Sequence, residues 1–137
     1  LSGLAPVLRQ LFRFLAVGVV NTLVGLTAIY ALMLAGAGIG WANFFGYALG
    51  LMISFTLNRI WTFASNEDAV ATLPRYVVVA GVCYLLNLGV VLSATRDFSL
   101  NPYAAQLFGV VAYTTTMFVA CRIFVFAPDT IPAKRTS

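Results

Sequence analysis

Two stretches of the chain, "SFTLNRIWTF" (54–63) and "MFVACRIFVF" (117–126), each place one arginine among aromatic residues at the end of a long apolar run. Arg59 follows 45 uncharged residues, 14–58, and Arg122 stands in the matching place 63 residues later. Arg13 and Arg75 open the runs that lead to them. A guanidinium is planar, never deprotonates in a protein and donates two parallel hydrogen bonds, so its natural ligand is a phosphate or carboxylate. No acidic residue lies inside an apolar run to neutralise these groups; Glu67, Asp68, Asp97 and Asp129 fall between runs or in the tail. Arg13 and Arg75 are expected at one membrane level with Arg59 and Arg122. The four are then candidates for a single phosphate pocket at headgroup depth, the place where basic pockets between helices hold lipid headgroups. The plainer reading is snorkelling, with the stems in lipid and the guanidinium groups among bulk headgroups, inside a belt formed by Trp61, Phe63, Phe124 and Phe126.

The remaining polar side chains are mostly uncharged. Asn21, Asn58 and Asn87 are amides in apolar surroundings, where an unbonded amide is costly; each must face protein, water or ligand. Tyr47 lies on the same side as Asn58, and the set Asn58, Asn21, Asn87 and Tyr47 is the candidate for polar contacts to a ligand. Catalysis has little to stand on. The chain has no histidine, no carboxylate pair within a run, and no Ser or Thr with a base partner, so it reads as a non-enzyme. Cys83 and Cys121 lie inside apolar runs without metal-ligand spacing, so no metal, disulfide or cofactor is expected. They read as small buried apolar residues.

These residues must be positioned by membrane helices. Of 137 residues 61% are hydrophobic and only 9% charged, with a mean hydropathy of +0.95; a soluble domain carries about 25% charged residues. Such a surface must face lipid. A span needs about 20 apolar residues, so the first run holds two, folded back at "GAGIG" (36–40), and two more follow. The expected spans are 12–35, 41–63, 75–95 and 102–126 in one all-α membrane domain covering 1–137, with a polar tail at 127–137. The first run is too long for the apolar core of a cleaved signal peptide.

Four spans put the N-terminus, the middle loop and the C-terminus on one side. That side collects Arg9, Arg13, Arg59, Arg75, Arg122, Lys134 and Arg135, against Arg96 alone on the other. By the positive-inside rule both termini are cytoplasmic. The net charge of +4 is matched by anionic lipids of the inner leaflet, and no nucleic acid is needed to explain it. A shift of 63 aligns Ala42, Phe45, Gly46, Phe55, Arg59, Ile60 and Phe63 with identical residues at 105, 108, 109, 118, 122, 123 and 126. Upstream, "RFLAV" at Arg13 matches "RYVVV" at Arg75 with a shift of 62. The chain therefore reads as two helical-hairpin repeats, about 9–63 and 75–126. Each has an even number of spans, so the copies are expected to be parallel. Ala42, Gly46, Gly50, Ser54 and Asn58 fall every four residues on one side of the second helix. "GYALG" is a GxxxG pattern of the kind that lets membrane helices approach closely.

The segments "RFLAVGVVNTLVGL" and "NFFGYALGLMISFTLNRIWTF", with the degenerate second copy, resemble the GtrA-like family of small four-helix bacterial and archaeal membrane proteins. The resemblance covers 9–126. Arg13, Asn21, Asn58 and Arg59 match its motif directly, Arg75 and Arg122 its second copy, where Cys121 replaces asparagine. It implies a role in cell-surface polysaccharide assembly: translocation of a polyprenyl-phosphate-linked sugar, such as undecaprenyl-phosphate glucose, across the cytoplasmic membrane. It also implies a cytoplasmic-side glycosyltransferase as partner. On this reading the arginines hold the phosphate, the amides and Tyr47 serve the sugar, and a homo-oligomer, a dimer, completes the path. The alternative is a non-transporting anchor or scaffold that recruits the glycosyltransferase. A drug-cation exporter fits poorly without a membrane carboxylate.

Overall fold

The computed structural model describes residues 3–128, and every regular element among them is helical. Helix α1 spans Leu4–Leu34 and α2 spans Ile39–Leu57, the latter continuing into a π turn at Asn58–Thr62. Helix α3 spans Ala69–Arg96, and α4, Pro102–Ala120, runs into a second π turn at Cys121–Val125. The chain divides into two compact units between Ala64 and Ser65. In unit 1, α1 packs on α2 and on the π turn that ends it; in unit 2, α3 packs on α4 and its π turn.

Each helix, with its π turn where it has one, is long and apolar enough to cross a membrane. In hydrocarbon a helix is one of few structures that satisfies its own backbone. Only Phe14 and Val17 of α1 are buried within the protein. Large apolar side chains such as Leu15, Val19, Leu23, Val82, Leu85 and Val111 point outward, a surface compatible with lipid and not with water.

The helix ends follow their local chemistry. Helix α1 stops at a Schellman motif: Gly36 takes φ +93°, its N–H donates to the Met33 carbonyl and that of Ala37 to Leu32. This is the turn expected at "GAGIG". Asp68 caps α3 by accepting from the Val70 N–H, and Asn101 caps α4 by accepting from Tyr103, with Pro102 in the first turn. Two boundaries differ from the sequence expectation. Helix α1 begins at Leu4 rather than 12, and α3 at Ala69 rather than 75. Hydropathy marks where a helix enters lipid, whereas the helix itself extends to its cap; α1, at 31 residues, runs about 46 Å, well beyond the ~30 Å of hydrocarbon. The C-terminal side of the expected polar tail lies outside the described residues.

Helix α2 presents Ala42, Gly46 and Gly50 buried against α1. A Cβ on Gly46 would strike the Ile29 side chain and stand 3.1 Å from the Gly25 carbonyl oxygen; one on Gly50 would lie 2.5 Å from Asn21 Oδ1. The glycines therefore set the interhelical distance. Gly46→Leu should lower unfolding free energy in detergent by about 1–3 kcal/mol through overpacking. Gly18→Leu, whose Cβ meets nothing within 4 Å, should stay within about 0.5 kcal/mol.

Candidate functional site

In unit 1, Arg13 on α1 reaches the π turn that carries Arg59. Its Nη1 donates to the Trp61 carbonyl at 2.9 Å, and the guanidinium carbon lies 5.4 Å from the centroid of the Trp61 ring. One residue on, Phe14 meets Phe63 edge to face at 6.3 Å. The carbonyls of a helix's last turn lack partners within the helix, so a cation is favoured there. Arg13 supplies both a donor and a charge.

Unit 2 repeats the arrangement. Arg75 on α3 lies over Phe124 at 5.9 Å, and Tyr76 meets Phe126 at 6.1 Å. Phe124 belongs to the π turn that carries Arg122. Each unit thus brings together one arginine from its first helix and the terminal turn that bears the second. Arg59 is half-buried and Arg122 exposed.

The π turns are the feature that the sequence does not announce. The Phe63 N–H donates to the Asn58 carbonyl at 2.9 Å, and the Phe126 N–H to Cys121 at 3.0 Å. Residues four apart on an α-helix drift by about 40° per step; a π turn takes more residues and reverses that drift. Thr62 consequently stays on the stripe of Ala42, Gly46, Gly50 and Asn58, only 2% exposed.

Asn58 is 1% exposed. Its Nδ2 donates to Ser54 Oγ at 3.3 Å and its Oδ1 accepts from Thr62 Oγ1 at 2.9 Å. The amide thus bonds along its own helix and braces the π turn from inside the hairpin. Asn21 sits one span-third deeper, where Oδ1 is buried without a hydrogen-bond partner among the described residues. Asn21 and Tyr47 line one cavity of about 220 Å³ with Thr22, Gly25, Gly46 and Gly50. Asn87, in unit 2, lies against Gly109. The matching stripe of unit 2 is Ala105, Gly109, Met117, Cys121 and Val125, all buried, so thiol and aliphatic groups stand where unit 1 has hydroxyls and an amide.

The role of Trp61 as partner to Arg13 exceeds the interfacial anchor read from sequence; the cue was the aromatic two residues beyond each terminal arginine. Arg13→Ala should destabilise the protein by about 1–2 kcal/mol, from one charge-assisted hydrogen bond and one cation–π contact. Arg13→Lys should recover less than half of that, because an ammonium cannot bond the carbonyl and lie flat on the indole together. Denaturation in mixed micelles measures both.

Residues 13–126 match the family described as GtrA/DPMS, transmembrane domain. No curated protein and no solved structure matches the chain. The matched segment runs from Arg13 to Phe126 and so takes in both arginine–aromatic arrangements. The chain belongs to the GtrA/DPMS transmembrane-domain family, a generally non-catalytic domain, and is a multi-pass membrane protein of polyprenyl-phosphate sugar pathways.

Proposed function

We propose that the protein translocates a polyprenyl-phosphate-linked sugar from the cytoplasmic to the outer leaflet of the cytoplasmic membrane. The observation that carries this reading is the pairing of an arginine from the first helix of each unit with the π turn bearing a second arginine, Arg13 with the turn of Arg59 and Arg75 with the turn of Arg122. Each π turn closes the second helix of its unit and carries an arginine. At interfacial depth a phosphate is the matching ligand for such an arginine and its first-helix partner. The two units are two copies of one hairpin, and the excess of Lys and Arg on one side keeps both termini cytoplasmic.

Arg13 and Arg59 in unit 1, and Arg75 and Arg122 in unit 2, are the phosphate-binding residues on this reading. Side chains along the helices serve the sugar, and the prenyl chain stays in lipid. Without an acid in the spans, transport is facilitated, driven by use of the product beyond the membrane. A glycosyltransferase on the cytoplasmic side supplies the lipid. The large outward apolar surface suits a homodimer and anionic lipids around the basic rim.

Arg59→Ala should weaken binding of undecaprenyl-phosphate glucose in detergent at least tenfold, about 1.4 kcal/mol. Unchanged affinity removes Arg59 from the site. Purified protein in vesicles should speed leaflet exchange of that lipid. Exchange no faster than in protein-free vesicles leaves a scaffold that recruits the glycosyltransferase.

A further inference from the structure

The two hairpins also differ midway along their helices. With shifts of 62 for the first helix and 63 for the second, Gly25 corresponds to Asn87, Gly46 to Gly109, Asn21 to Cys83 and Gly50 to Tyr113. In unit 2 the space is filled: Asn87 Nδ2 lies 2.7 Å from where a Cβ on Gly109 would stand, with Val91 beside it. In unit 1, Gly25 has no side chain to put there, and the cavity of about 220 Å³ lies between α1 and α2.

The polar groups of that cavity are uncharged: the Thr22 hydroxyl, the Asn21 carboxamide and the Tyr47 hydroxyl, which between them can accept and donate. Thr22 Oγ1 gives its proton to the Gly18 carbonyl at 3.0 Å, so its lone pairs are what it can offer a ligand. Asn21 Oδ1 is buried against Gly50 without a donor, a costly condition for an amide oxygen. The last torsion of asparagine is broad, so a small turn of the carboxamide presents Oδ1 to the cavity. Uncharged donors and acceptors side by side in a small cavity suit a neutral polyol, whose hydroxyls do both; they offer a carboxylate or phosphate no charge to pair with. The cavity lies eight residues along α1 from Arg13, about 12 Å, and is therefore a station within the span, separate from the phosphate site.

We propose that this cavity is the sugar-hydroxyl subsite of the translocation path, one per chain, with Asn21 Oδ1 as the acceptor and unit 2 as its filled counterpart. The proposal rests on the translocation reading. Asn58, bonded along its own helix, and Asn87, which fills unit 2, take no part in it.

The test uses the purified full chain in vesicles of phosphatidylethanolamine and phosphatidylglycerol. The probes are undecaprenyl-phosphate glucose and analogues in which fluorine, which cannot donate, replaces one hydroxyl at a time. Wild type should exchange at least one analogue about tenfold more slowly than the parent lipid, the effect of one lost hydrogen bond. Asn21→Leu should exchange the parent about tenfold more slowly and no longer distinguish the analogues. Gly25→Asn, which copies unit 2 and whose Cβ meets only the Gly46 carbonyl at 3.6 Å, should do the same. Both variants should keep lipid affinity within about twofold, since the arginines are untouched, and Gly18→Leu, whose Cβ meets nothing within 4 Å, should exchange as wild type does. The subsite is overturned if both variants exchange the parent normally, if Asn21→Leu still discriminates, if wild type treats all analogues alike, or if the variants lose lipid affinity in proportion. Wild type that binds the lipid but exchanges nothing overturns the translocation reading, and the subsite with it.

Discussion

Lipid gives two apolar helices no solvent-driven reason to associate, so a membrane hairpin is held by close packing and by the polar groups that packing shelters. In unit 1 this constraint acts through Gly25, Gly46 and Gly50. Their missing side chains let the backbone of α1 approach that of α2, with Gly25 facing the Gly46 carbonyl and Asn21 resting on Gly50. Everything polar in the hairpin depends on that distance. It sets Arg13 at the right height to reach the Trp61 carbonyl and encloses the Ser54–Asn58–Thr62 ladder away from lipid.

Unit 2 keeps the skeleton of this arrangement and changes its chemistry. Tyr76 and Phe126 pack as Phe14 and Phe63 do, and Arg75 lies over an aromatic ring as Arg13 does. The interior differs: Cys83, Met117, Cys121 and Val125 are buried where unit 1 has Asn21, Ser54, Asn58 and Thr62. The arginine–aromatic contact thus accompanies two different interiors, one with a polar ladder and one with thiol and aliphatic groups in its place, which makes the two parts of each hairpin separable.

Much of this was legible in the residues. Charge-free runs located four spans, a glycine-rich segment located the first turn, and four-residue spacing identified the buried stripe of α2. The starts of α1 and α3 were not legible from hydropathy, because caps such as Asp68 lie outside the apolar run. The π turns carry no composition cue; "NRIWT" and "CRIFV" share little beyond Arg-Ile and an aromatic. The amides looked equivalent because each is an asparagine in apolar surroundings. Only three-dimensional placement separates Asn58, bonded along its helix, from Asn87, packed over a glycine, and Asn21, whose oxygen has no donor.

The π turns have a consequence for how such a helix can vary. An extra residue in the last turn is a change of phase: every side chain beyond it is rotated relative to a straight α-helix, while every side chain before it is untouched. The bearing of Trp61 and Phe63, which meet Arg13 and Phe14, is therefore adjusted by the terminal turn, and that of Gly46 and Gly50 by the helix upstream. Substitutions in the interior need not disturb the aromatic face that Arg13 meets. The same separation holds in unit 2 for Phe124 and Phe126, which meet Arg75 and Tyr76, and it is a mechanical route by which each unit keeps its arginine–aromatic contact over a different interior.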